Sequence, residues 1–495
     1  MDLQKRSESL VKAKKSLVDK TAADKLHKAG KFTAYELIGQ LFDEGTFVET
    51  NAYVKAYANE LGTANTAEYE GVVCGYGAVD GRLTFVYAQN AARLNGAFSK
   101  AAAEKIAALY DMAKKNGAPV ISIFDSNGAK VEEGIDVLSG YGKVMKKASL
   151  LRGKVPQIAV IVGNCAGAAA TVAGLSDISV MVEGASYSMS PASVLASCGA
   201  DEKVATSEYA YSKGMVSMTA KTTAEAFASV KDILSYLPSN KLDTNVYTGI
   251  EDNPNRATPE VASVVAGEKY DMHSVISAVV DGGRFTELGA GKAKAIVTGF
   301  ATVNGIVAGI VANNPAEKDA KLCRGCMNKA ADFINFCDAF GISVLTFVDT
   351  NGFCAECEAK GKDFVSASAK LAESYCTASV PVVTVNVGAA YGSAFTLMGS
   401  KELGADMVIA LDSAKIGVLK PGAGVAMMWS EKMAGAKAPI EKRKALEEEW
   451  ELVMSTPILA AEAGQVDDII PAEDLRVKVA SALEMLSMKR DFASL

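Results

Sequence analysis

The chain has 495 residues, of which 49% are apolar and 22% charged, a globular composition on the apolar side of the usual range. Its 51 basic and 58 acidic residues leave a net charge of −7, so no overall attraction to nucleic acid or to an anionic membrane is expected. The first twenty residues lack the apolar stretch of a signal peptide, which favours a cytoplasmic location.

The predicted elements begin with charged helices in residues 1–45. Residues 26–49, LHKAGKFTAYELIGQLFDEGTFVE, are predicted to form one amphipathic helix closed by a glycine turn. A glycine-rich β-hairpin follows in residues 69–90, and helices then alternate with apolar strands. The same order starts again near Tyr270 with DMHSVISAVVDGGRFTEL, so each copy is expected to be an α/β domain with a β-β-α architecture.

The chain contains an internal repeat. Residues 69–90 align with residues 293–314 at an offset of 224 positions, which places Gly75 on Gly299. After one inserted residue the offset is 225, and Val-Pro at 155–156 meets Val-Pro at 380–381. A period this long indicates a duplicated domain rather than a solenoid. A cluster of Pro, Asn and Gly in residues 248–259 predicts domains of residues 1–252 and 253–495.

Two uncharged runs, residues 155–176 and 374–400, are long enough to cross a bilayer, so transmembrane helices are an alternative interpretation. In each run, however, a Val-Pro pair precedes a strand-like segment, IAVIVG or VVTVNVG, and a glycine pair then starts a small-residue segment. This order favours a buried strand, a tight turn and a helix start.

Residue counts exclude several enzyme classes. The only histidines, His27 and His273, lie in the two helical lead-ins and are expected to be solvated or structural. No His-based metal pair or Ser-His triad can be assembled from them. The chain also lacks the glycine-rich phosphate loop ending in Lys-Ser or Lys-Thr, so ATP hydrolysis is not indicated.

The remaining candidates are the two strand-to-helix turns, GNCAGAAATVAG from Gly163 and GAAYGSAFTLMG from Gly388. Backbone N–H groups at a helix start have no intrahelical acceptor, and small residues allow a ligand oxygen to approach them. Such a pocket stabilises developing negative charge, for example on the oxygen of a thioester enolate. One such turn is more simply explained by close helix packing, but two in register favour function.

The chain resembles the carboxyltransferase component of biotin-dependent acyl-CoA carboxylases and decarboxylases, such as propionyl-CoA carboxylase β chains. The resemblance runs from about Leu26 to Arg490, and its motifs stand in family order: EGVVCGYGAVDGR, FDSNGAKVEEGIDVLSGYG, VPQIAVIVGNCAG, FCDAFGISVLTFVDTNGF, AYGSAF and AAEAGQVDDII. It implies two tandem crotonase-like domains, in agreement with the repeat, and carboxyl transfer between carboxybiotin and an acetyl-, propionyl-, malonyl- or methylmalonyl-type acyl-CoA.

The resemblance also implies a division of labour between the turns. The first holds the acyl-CoA carbonyl, with Gly167 and Ala168 as backbone donors. The second holds the ureido oxygen of biotin, with Gly392, Ser393 and Ala394 as binding residues and the last two as donors. The family has glycine where this chain has Ala168 and Ser393, so a Cβ narrows each pocket while the N–H donors remain.

Partners follow from the same resemblance. Family enzymes are hexamers in which the N-terminal domain of one subunit faces the C-terminal domain of another. No biotinylation sequence of the Ala-Met-Lys-Met type occurs, so biotin is expected on a biotin carboxyl carrier protein. A biotin carboxylase partner implies carboxylation, whereas a membrane decarboxylase subunit implies decarboxylation. The chain itself does not encode the direction.

The nine cysteines are an odd number and are expected to be mostly reduced. Four of them form two Cys-x-x-C pairs, Cys323 with Cys326 and Cys354 with Cys357, which are expected at the same sheet edge. A zinc site, a redox-sensitive pairing and simple reduced cysteines all remain open, and no metal is assigned.

Two alternative functions remain. A biotin-independent acyl-CoA hydratase or hydrolase requires a positioned carboxylate, for which Glu132 and Glu133 are the only obvious candidates. Their place in AKVEEG favours a solvated or ion-paired helix start instead. The Ala168 and Ser393 substitutions leave a catalytically silent scaffold subunit as the other alternative.

Overall fold

Two sheets with the same strand order dominate the computed structural model, which describes residues 3–15, 20–55, 69–243, 252–267, 269–361, 363–434 and 438–489. The chain forms two compact units, Met1–Asp243 and Thr244–Leu495. Residues 244–251 lie outside the described part, and the domain boundary at about residue 252 stays a prediction.

The first unit contains strands and helices in alternation. Its strands are Val48–Thr50 (β1), Val72–Val79 (β2), Arg82–Gln89 (β3), Val120–Phe124 (β4), Gln157–Ile161 (β5), Asn164–Ala166 (β6), Ile178–Val182 (β7), Ser186–Ser188 (β8) and Met218–Ala220 (β9). Its helices are Leu3–Lys15 (α1), Lys20–Lys28 (α2), Ala34–Leu41 (α3), Lys100–Asn116 (α4), Ile135–Leu151 (α5), Ala168–Gly174 (α6), Ala192–Ser197 (α7), Ser207–Lys213 (α8) and Thr223–Tyr236 (α9).

The second unit repeats this pattern. Its strands are Phe285–Glu287 (β10), Ile296–Val303 (β11), Ile306–Asn313 (β12), Ser343–Thr350 (β13), Val382–Tyr391 (β14), Met407–Leu411 (β15), Lys415–Gly417 (β16) and Asp468–Ile470 (β17). Its helices are Glu260–Val265 (α10), His273–Val279 (α11), Arg324–Ala339 (α12), Ala355–Ala359 (α13), Val365–Cys376 (α14), Ser393–Leu397 (α15), Pro421–Met428 (α16), Ser430–Met433 (α17), Pro439–Met454 (α18), Pro457–Glu462 (α19) and Leu475–Leu486 (α20).

The strand order shows that the duplication extends to topology. The first sheet runs β1-β2-β3-β4-β5-β7-β9 and the second β10-β11-β12-β13-β14-β15-β17. In each, the first three strands are antiparallel neighbours and the later pairs are parallel. The central strands β4 and β13 are buried along their whole length, as expected for parallel strands covered on both faces. The predicted α/β class with a duplicated architecture is confirmed.

Both predicted hairpins close through two-residue turns. Asp80 and Gly81 connect β2 to β3 with φ of 49° and 77°, and Asn304 and Gly305 connect β11 to β12 with φ of 52° and 73°. Two successive positive φ values match the twist of a β-ribbon, and Asp-Gly or Asn-Gly adopts them at low cost. The aligned glycine Gly75 is required by a close approach, since a Cβ there would overlap the carbonyl oxygen of Val48.

The predicted lead-in helix over residues 26–49 is wrong as a single element. The chain leaves α2 at Lys28, turns at Gly30 with a φ of 70°, and starts α3 after Thr33. The Thr33 side chain accepts from the N–H of Glu36, and the Glu36 carboxylate accepts from the N–H of Thr33. This capping box is a helix-start signal that lies inside the amphipathic pattern.

The two uncharged runs form a strand, a turn and a helix, as the Val-Pro and glycine signals predicted. The first run becomes β5, β6 and α6, and the second becomes the end of α14, then β14 and α15. Across the described segments, no helix has both the length and the apolarity to span a membrane.

Candidate functional site

The first turn consists of a short strand followed by a glycine whose backbone angles favour glycine over other residues. Strand β6 pairs in parallel with β8, and the chain then turns at Gly167, whose φ is 63° and ψ is −131°. This region of backbone space is strained for any residue with a Cβ. Helix α6 begins immediately afterwards at Ala168.

The second turn has the same construction. The end of β14 pairs in parallel with β16, and Gly392 follows with a φ of 59° and ψ of −149°. Helix α15 then begins at Ser393. A Cβ at Gly392 would also lie 3.3 Å from the carbonyl oxygen of Val418, so both backbone shape and space favour glycine.

Among the described residues, each turn leaves at least two backbone N–H groups without an acceptor. The N–H of Gly167 donates to the carbonyl of Ser188 at 3.1 Å, and that of Gly392 donates to the carbonyl of Gly417 at 3.0 Å. Among the hydrogen bonds of the described residues, none engages the next two N–H groups of either turn, those of Ala168, Ala169, Ser393 and Ala394. Such free donors at a helix start are available to an anionic or carbonyl oxygen.

This geometry changes one sequence-based assignment. Gly167 was predicted to be a donor to the acyl-CoA carbonyl, but its N–H is occupied by Ser188. Ala169, which sequence reasoning missed, carries a free donor at the position equivalent to Ala394 at the offset of 225. The repeat contained this signal, because it aligns residues 168 and 169 with 393 and 394.

A buried aspartate fixes the start of each turn. Oδ1 of Asp125 accepts from the N–H of Asn164 at 3.1 Å, and Oδ1 of Asp349 accepts from the N–H of Ala389 at 2.9 Å. Each carboxylate also packs against the preceding glycine, where a Cβ at Gly163 or Gly388 would overlap it. Asp125 aligns with Asp349 at the offset of 224 and Gly163 aligns with Gly388 at 225, but the contact within each pair of aspartate and glycine could not be inferred from sequence.

The two aspartates have different partners. Lys31 lies 3.2 Å from both carboxylate oxygens of Asp125, whereas the hydroxyl of Tyr270 donates to Asp349 at 2.7 Å. Burial raises the pKa of Asp349, and the bonds from Tyr270 and Ala389 oppose that rise. One turn is therefore braced by an ion pair and the other by a neutral donor.

An exposed apolar side chain lies next to each turn. Met189 follows the Ser188 carbonyl that accepts from Gly167, and 64% of its surface is exposed. Val418 follows Gly417 in the same way and is 81% exposed. Each turn therefore has one large exposed apolar side chain at its edge.

The histidines have structural partners, as predicted. His27 contacts the Glu36 carboxylate at 2.9 Å. His273 lies between Glu287 at 2.9 Å and Asp271 at 2.6 Å, and these carboxylates raise its pKa to about 9. Both rings contact carboxylates at the lead-in helices and not at the glycine turns.

Glu133, a candidate catalytic carboxylate for the alternative hydratase or hydrolase function, is engaged in other contacts. Oε2 of Glu133 accepts from the N–H of Lys100, the first residue of α4, at 2.6 Å, and its other oxygen lies 3.8 Å from Nζ of Lys130. Glu132 is exposed. The ion pair of Glu133 with Lys130 and the exposure of Glu132 agree with the expected solvated or ion-paired helix start. The bond from Glu133 to the first N–H of α4, whose N-cap is Ser99, was not predicted.

The two Cys-x-x-Cys pairs, at residues 323–326 and 354–357, lie beside each other, as predicted. Cys323 is the N-cap of α12, and the adjoining Leu322 pairs with Phe353, one residue before Cys354. No group of three or more His, Cys, Asp or Glu side chains in the described ranges is arranged to hold a metal ion.

Comparison with known proteins places this geometry in a family. Residues 25–494 match the family model of the carboxyl transferase domain. The chain is 35% identical over 483 residues to the methylmalonyl-CoA decarboxylase subunit alpha of Propionigenium modestum, covering 94% of this chain and 92% of that protein. It is also 35% identical over 512 residues to the propionyl-CoA carboxylase beta chain of Saccharopolyspora erythraea, covering 99% and 93%.

A solved structure agrees over nearly the whole chain. The crystal structure of transcarboxylase 12S, a hexamer with methylmalonyl-coenzyme A and methylmalonic acid bound, matches with a TM-score of 0.94 at 33% identity. The match covers 99% of this chain and 96% of that one, which confirms the two tandem crotonase-like domains. The chain therefore belongs to the carboxyl transferase family and is a carboxyltransferase subunit of the type found in biotin-dependent acyl-CoA carboxylases and decarboxylases.

Proposed function

We propose that the two glycine turns are oxyanion holes with different ligands. The N–H groups of Ala168 and Ala169 bind the thioester oxygen of an acyl-CoA, and those of Ser393 and Ala394 bind the ureido oxygen of biotin. The observation that carries this assignment is the pair of free N–H groups at each turn. The turns are equivalent in construction, so the assignment of ligands rests on the family resemblance.

The first turn stabilises the negative charge of the enolate that forms when the α-carbon of the acyl-CoA loses a proton or a carboxyl group. Two fixed backbone donors do this without a charged side chain, and removal of one such donor typically costs about 10²- to 10³-fold in rate. The partly buried methyl group of Ala168 reduces the space near the carbonyl but leaves its N–H in place. Gly167 shapes the turn, and its own N–H holds it to β8.

The second turn orients the ureido group so that its nitrogen faces the reacting carbon. Biotin, delivered on a biotin carboxyl carrier protein, supplies or accepts the carboxyl group when bound. The exposed Ser393 adds a hydroxyl at the edge of this turn, and the fully buried Ala394 fixes the helix start. Gly392 supplies the backbone shape that presents both N–H groups.

The proposed substrates are short acyl-CoA and carboxyacyl-CoA thioesters of the propionyl and methylmalonyl type. Methylmalonyl-coenzyme A is bound in the transcarboxylase 12S structure, and the relatives are named for propionyl-CoA and methylmalonyl-CoA. The same half-reaction serves carboxylation with a biotin carboxylase partner and decarboxylation with a membrane decarboxylase subunit.

We also propose a homohexamer in the cytoplasm. The exposed side chains of Met189 and Val418 beside the turns support an assembly that covers them, and transcarboxylase 12S is a hexamer. The nine cysteines form no disulfide, which fits a reducing compartment.

The test is carboxyl exchange by the purified chain with free biotin and methylmalonyl-CoA, followed as loss of the carboxyacyl thioester. Gly167→Val and Gly392→Val force a β-branched residue into left-handed backbone geometry. Each variant is expected to lose at least about 10²-fold in rate. Gly142→Ala is the matched control, because a Cβ at Gly142 meets no atom within 4 Å. Full activity in both valine variants would remove the oxyanion assignment.

A further inference from the structure

Four cysteines of the second unit form two close sulfur pairs. Sγ of Cys323 lies 2.9 Å from Sγ of Cys326, and Sγ of Cys354 lies 2.8 Å from Sγ of Cys357. The backbones of the two pairs are joined, because Leu322 donates to the Gly352 carbonyl and accepts from the N–H of Cys354, both at 2.8 Å. The two thiol pairs therefore lie on adjoining backbone segments, and we call the four residues the cysteine cluster.

The first unit shows that this cluster is not needed for folding. At the offset of 224, its positions correspond to Ser99, Ala102, Lys130 and Glu133. Ser99 caps α4 as Cys323 caps α12, and Phe98 bridges to Ala129 as Leu322 bridges to Phe353. The same backbone arrangement thus forms with a serine cap and an ion pair. All four equivalent positions of the second unit hold cysteine although this backbone arrangement does not require it. We therefore expect the sulfur atoms to have a role of their own.

The first pair has the features of a reactive dithiol. Cys323 is partly exposed and Cys326 is buried, so one sulfur meets solvent and the other lies behind it. Hydrogen bonds from the Cys326 thiol and from its backbone N–H lower the pKa of Cys323, and the same contact raises the pKa of Cys326. A thiolate at the start of a helix with a thiol three residues later is the arrangement of dithiol redox motifs.

The sulfur distances distinguish this cluster from a zinc site. Two thiolates on a tetrahedral zinc ion with Zn–S bonds of about 2.3 Å are about 3.8 Å apart. Both pairs are about 0.9 Å closer than that, and no metal-holding group of three or more ligands is found in the part of the chain that the structure describes. Closer contact favours a bond between the sulfurs of each pair.

We propose that the four cysteines form a redox site that exchanges with low-molecular-weight disulfides. The Cys323 thiolate attacks one sulfur of the disulfide, the disulfide bond breaks, and one thiolate leaves and takes up a proton. Cys326 then loses its proton and attacks the Cys323 sulfur, which releases the second thiol. Two protein thiols are oxidised to one disulfide, and one small disulfide is reduced to two thiols. The partly exposed Cys357 starts the same exchange for Cys354, more slowly because the contact with Cys354 raises the pKa of Cys357.

The test treats the full-length, reduced protein with oxidised glutathione, followed by alkylation of free thiols and peptide mass analysis. The expected product has two intramolecular disulfides, each with the loss of two hydrogens and no bound glutathione. The exposed Cys198 and Cys376, which have no neighbouring thiol, serve as internal controls that take up glutathione as mixed disulfides. Cys323→Ser is expected to slow oxidation at Cys326 at least about tenfold relative to Cys376→Ser.

The serine variant keeps the fold, since Ser99 is the natural N-cap at the equivalent position of α4. The proposal is overturned if all four cysteines stay reduced while Cys198 is fully modified. One equivalent of zinc in protein purified without chelator, lost in Cys323→Ser, would likewise overturn it in favour of a metal site. These readouts do not use carboxyl transfer, so the proposed function and the redox site can fail separately.

Discussion

The hydroxyl of Tyr270 donates a 2.7 Å hydrogen bond to Asp349, whose other carboxylate oxygen holds the N–H of Ala389. The lead-in segment of the second unit is thereby tied to the strand end that leads into the Gly392 turn. The Gly392 turn is therefore stabilised by Tyr270, a residue that lies outside its own loop.

Tyr270→Phe removes the hydroxyl donor and leaves a buried carboxylate with one fewer hydrogen bond. We expect a loss of about 1–3 kcal/mol in the free energy of unfolding, measured by urea denaturation. Burial raises the pKa of Asp349, so the loss is expected to shrink as the pH falls through that raised pKa and the carboxyl becomes protonated. Tyr209→Phe, at a partly exposed helix position, is the control. Equal stability of the two variants at neutral pH would contradict the brace.

Gly388→Ala and Gly163→Ala each place a Cβ on the carboxylate that fixes the turn. The strand or the aspartate must move, and we expect both destabilisation by about 1–3 kcal/mol and loss of carboxyl exchange. Gly142→Ala is the comparison, because it adds the same methyl group in open space on α5. It is expected to leave stability unchanged or to raise it by about 0.5–1 kcal/mol. If Gly388→Ala behaved like Gly142→Ala, the contact with Asp349 would not matter.

Ser393→Gly and Ala168→Gly test whether the donors are backbone groups. Both variants keep the N–H of the replaced residue, so carboxyl exchange is expected to change by less than about tenfold in either direction. The same assay with malonyl-CoA and methylmalonyl-CoA, which yield acetyl-CoA and propionyl-CoA, shows whether glycine at either position widens the range of accepted substrates. Loss of more than about 10²-fold in Ser393→Gly would assign the chemistry to the serine hydroxyl instead.

His273 gives the second unit a pH-dependent contribution to stability. Glu287 and Asp271 raise its pKa from 6.5 in the unfolded chain to about 9 in the folded protein. The contribution is therefore fully present below about pH 6.5 and is lost as the pH rises through about 9. His273→Gln is expected to lower the melting temperature at pH 6 and to differ little from the parent at pH 10. A difference that stays constant between these pH values would exclude the ion pair as its cause.

Arg476 is fully buried and pairs with Asp281 at 2.6 Å and Asp252 at 3.4 Å. Arg476→Met removes the ion pair of Asp281 and leaves Asp252 with Arg256 alone, and we expect a loss of about 3–5 kcal/mol, measured by chemical denaturation. Lys478→Met on the same helix breaks the exposed pair with Asp468 and is expected to cost less than about 1 kcal/mol. Similar losses in both variants would show that the burial of Arg476 is not decisive.

The repeat made much of the fold predictable. Glycine positions such as Gly75 and Gly299 recur because backbone atoms of the neighbouring strand approach too closely for a Cβ. The glycine-rich pattern of residues 69–90 and its repeat predicted both hairpins, whose turns are Asp80-Gly81 and Asn304-Gly305. A short capping signal at Thr33 was hidden in a longer amphipathic pattern, so the helix break there was missed.

The location and type of the candidate site could be predicted from the sequence, but the individual hydrogen-bond donors could not. Glycine spacing located both turns, yet which N–H groups remain free depends on strands β8 and β16, which lie about twenty residues further along the chain. Gly167 therefore looked like a donor until its bond to Ser188 was visible. The contact between Asp349 and Gly388 likewise depends on two strands being neighbours in space.

Because Asp125 and Asp349 have different partners, the two turns share a backbone shape but differ in their response to solution conditions. Dissolved salt weakens an ion pair with a partly exposed lysine, whereas it has little effect on a buried bond between a tyrosine and a carboxyl group. Rising ionic strength therefore loosens the Lys31 brace and spares the Tyr270 brace. The two copies of the repeat therefore present the same backbone turn on supports of different salt sensitivity.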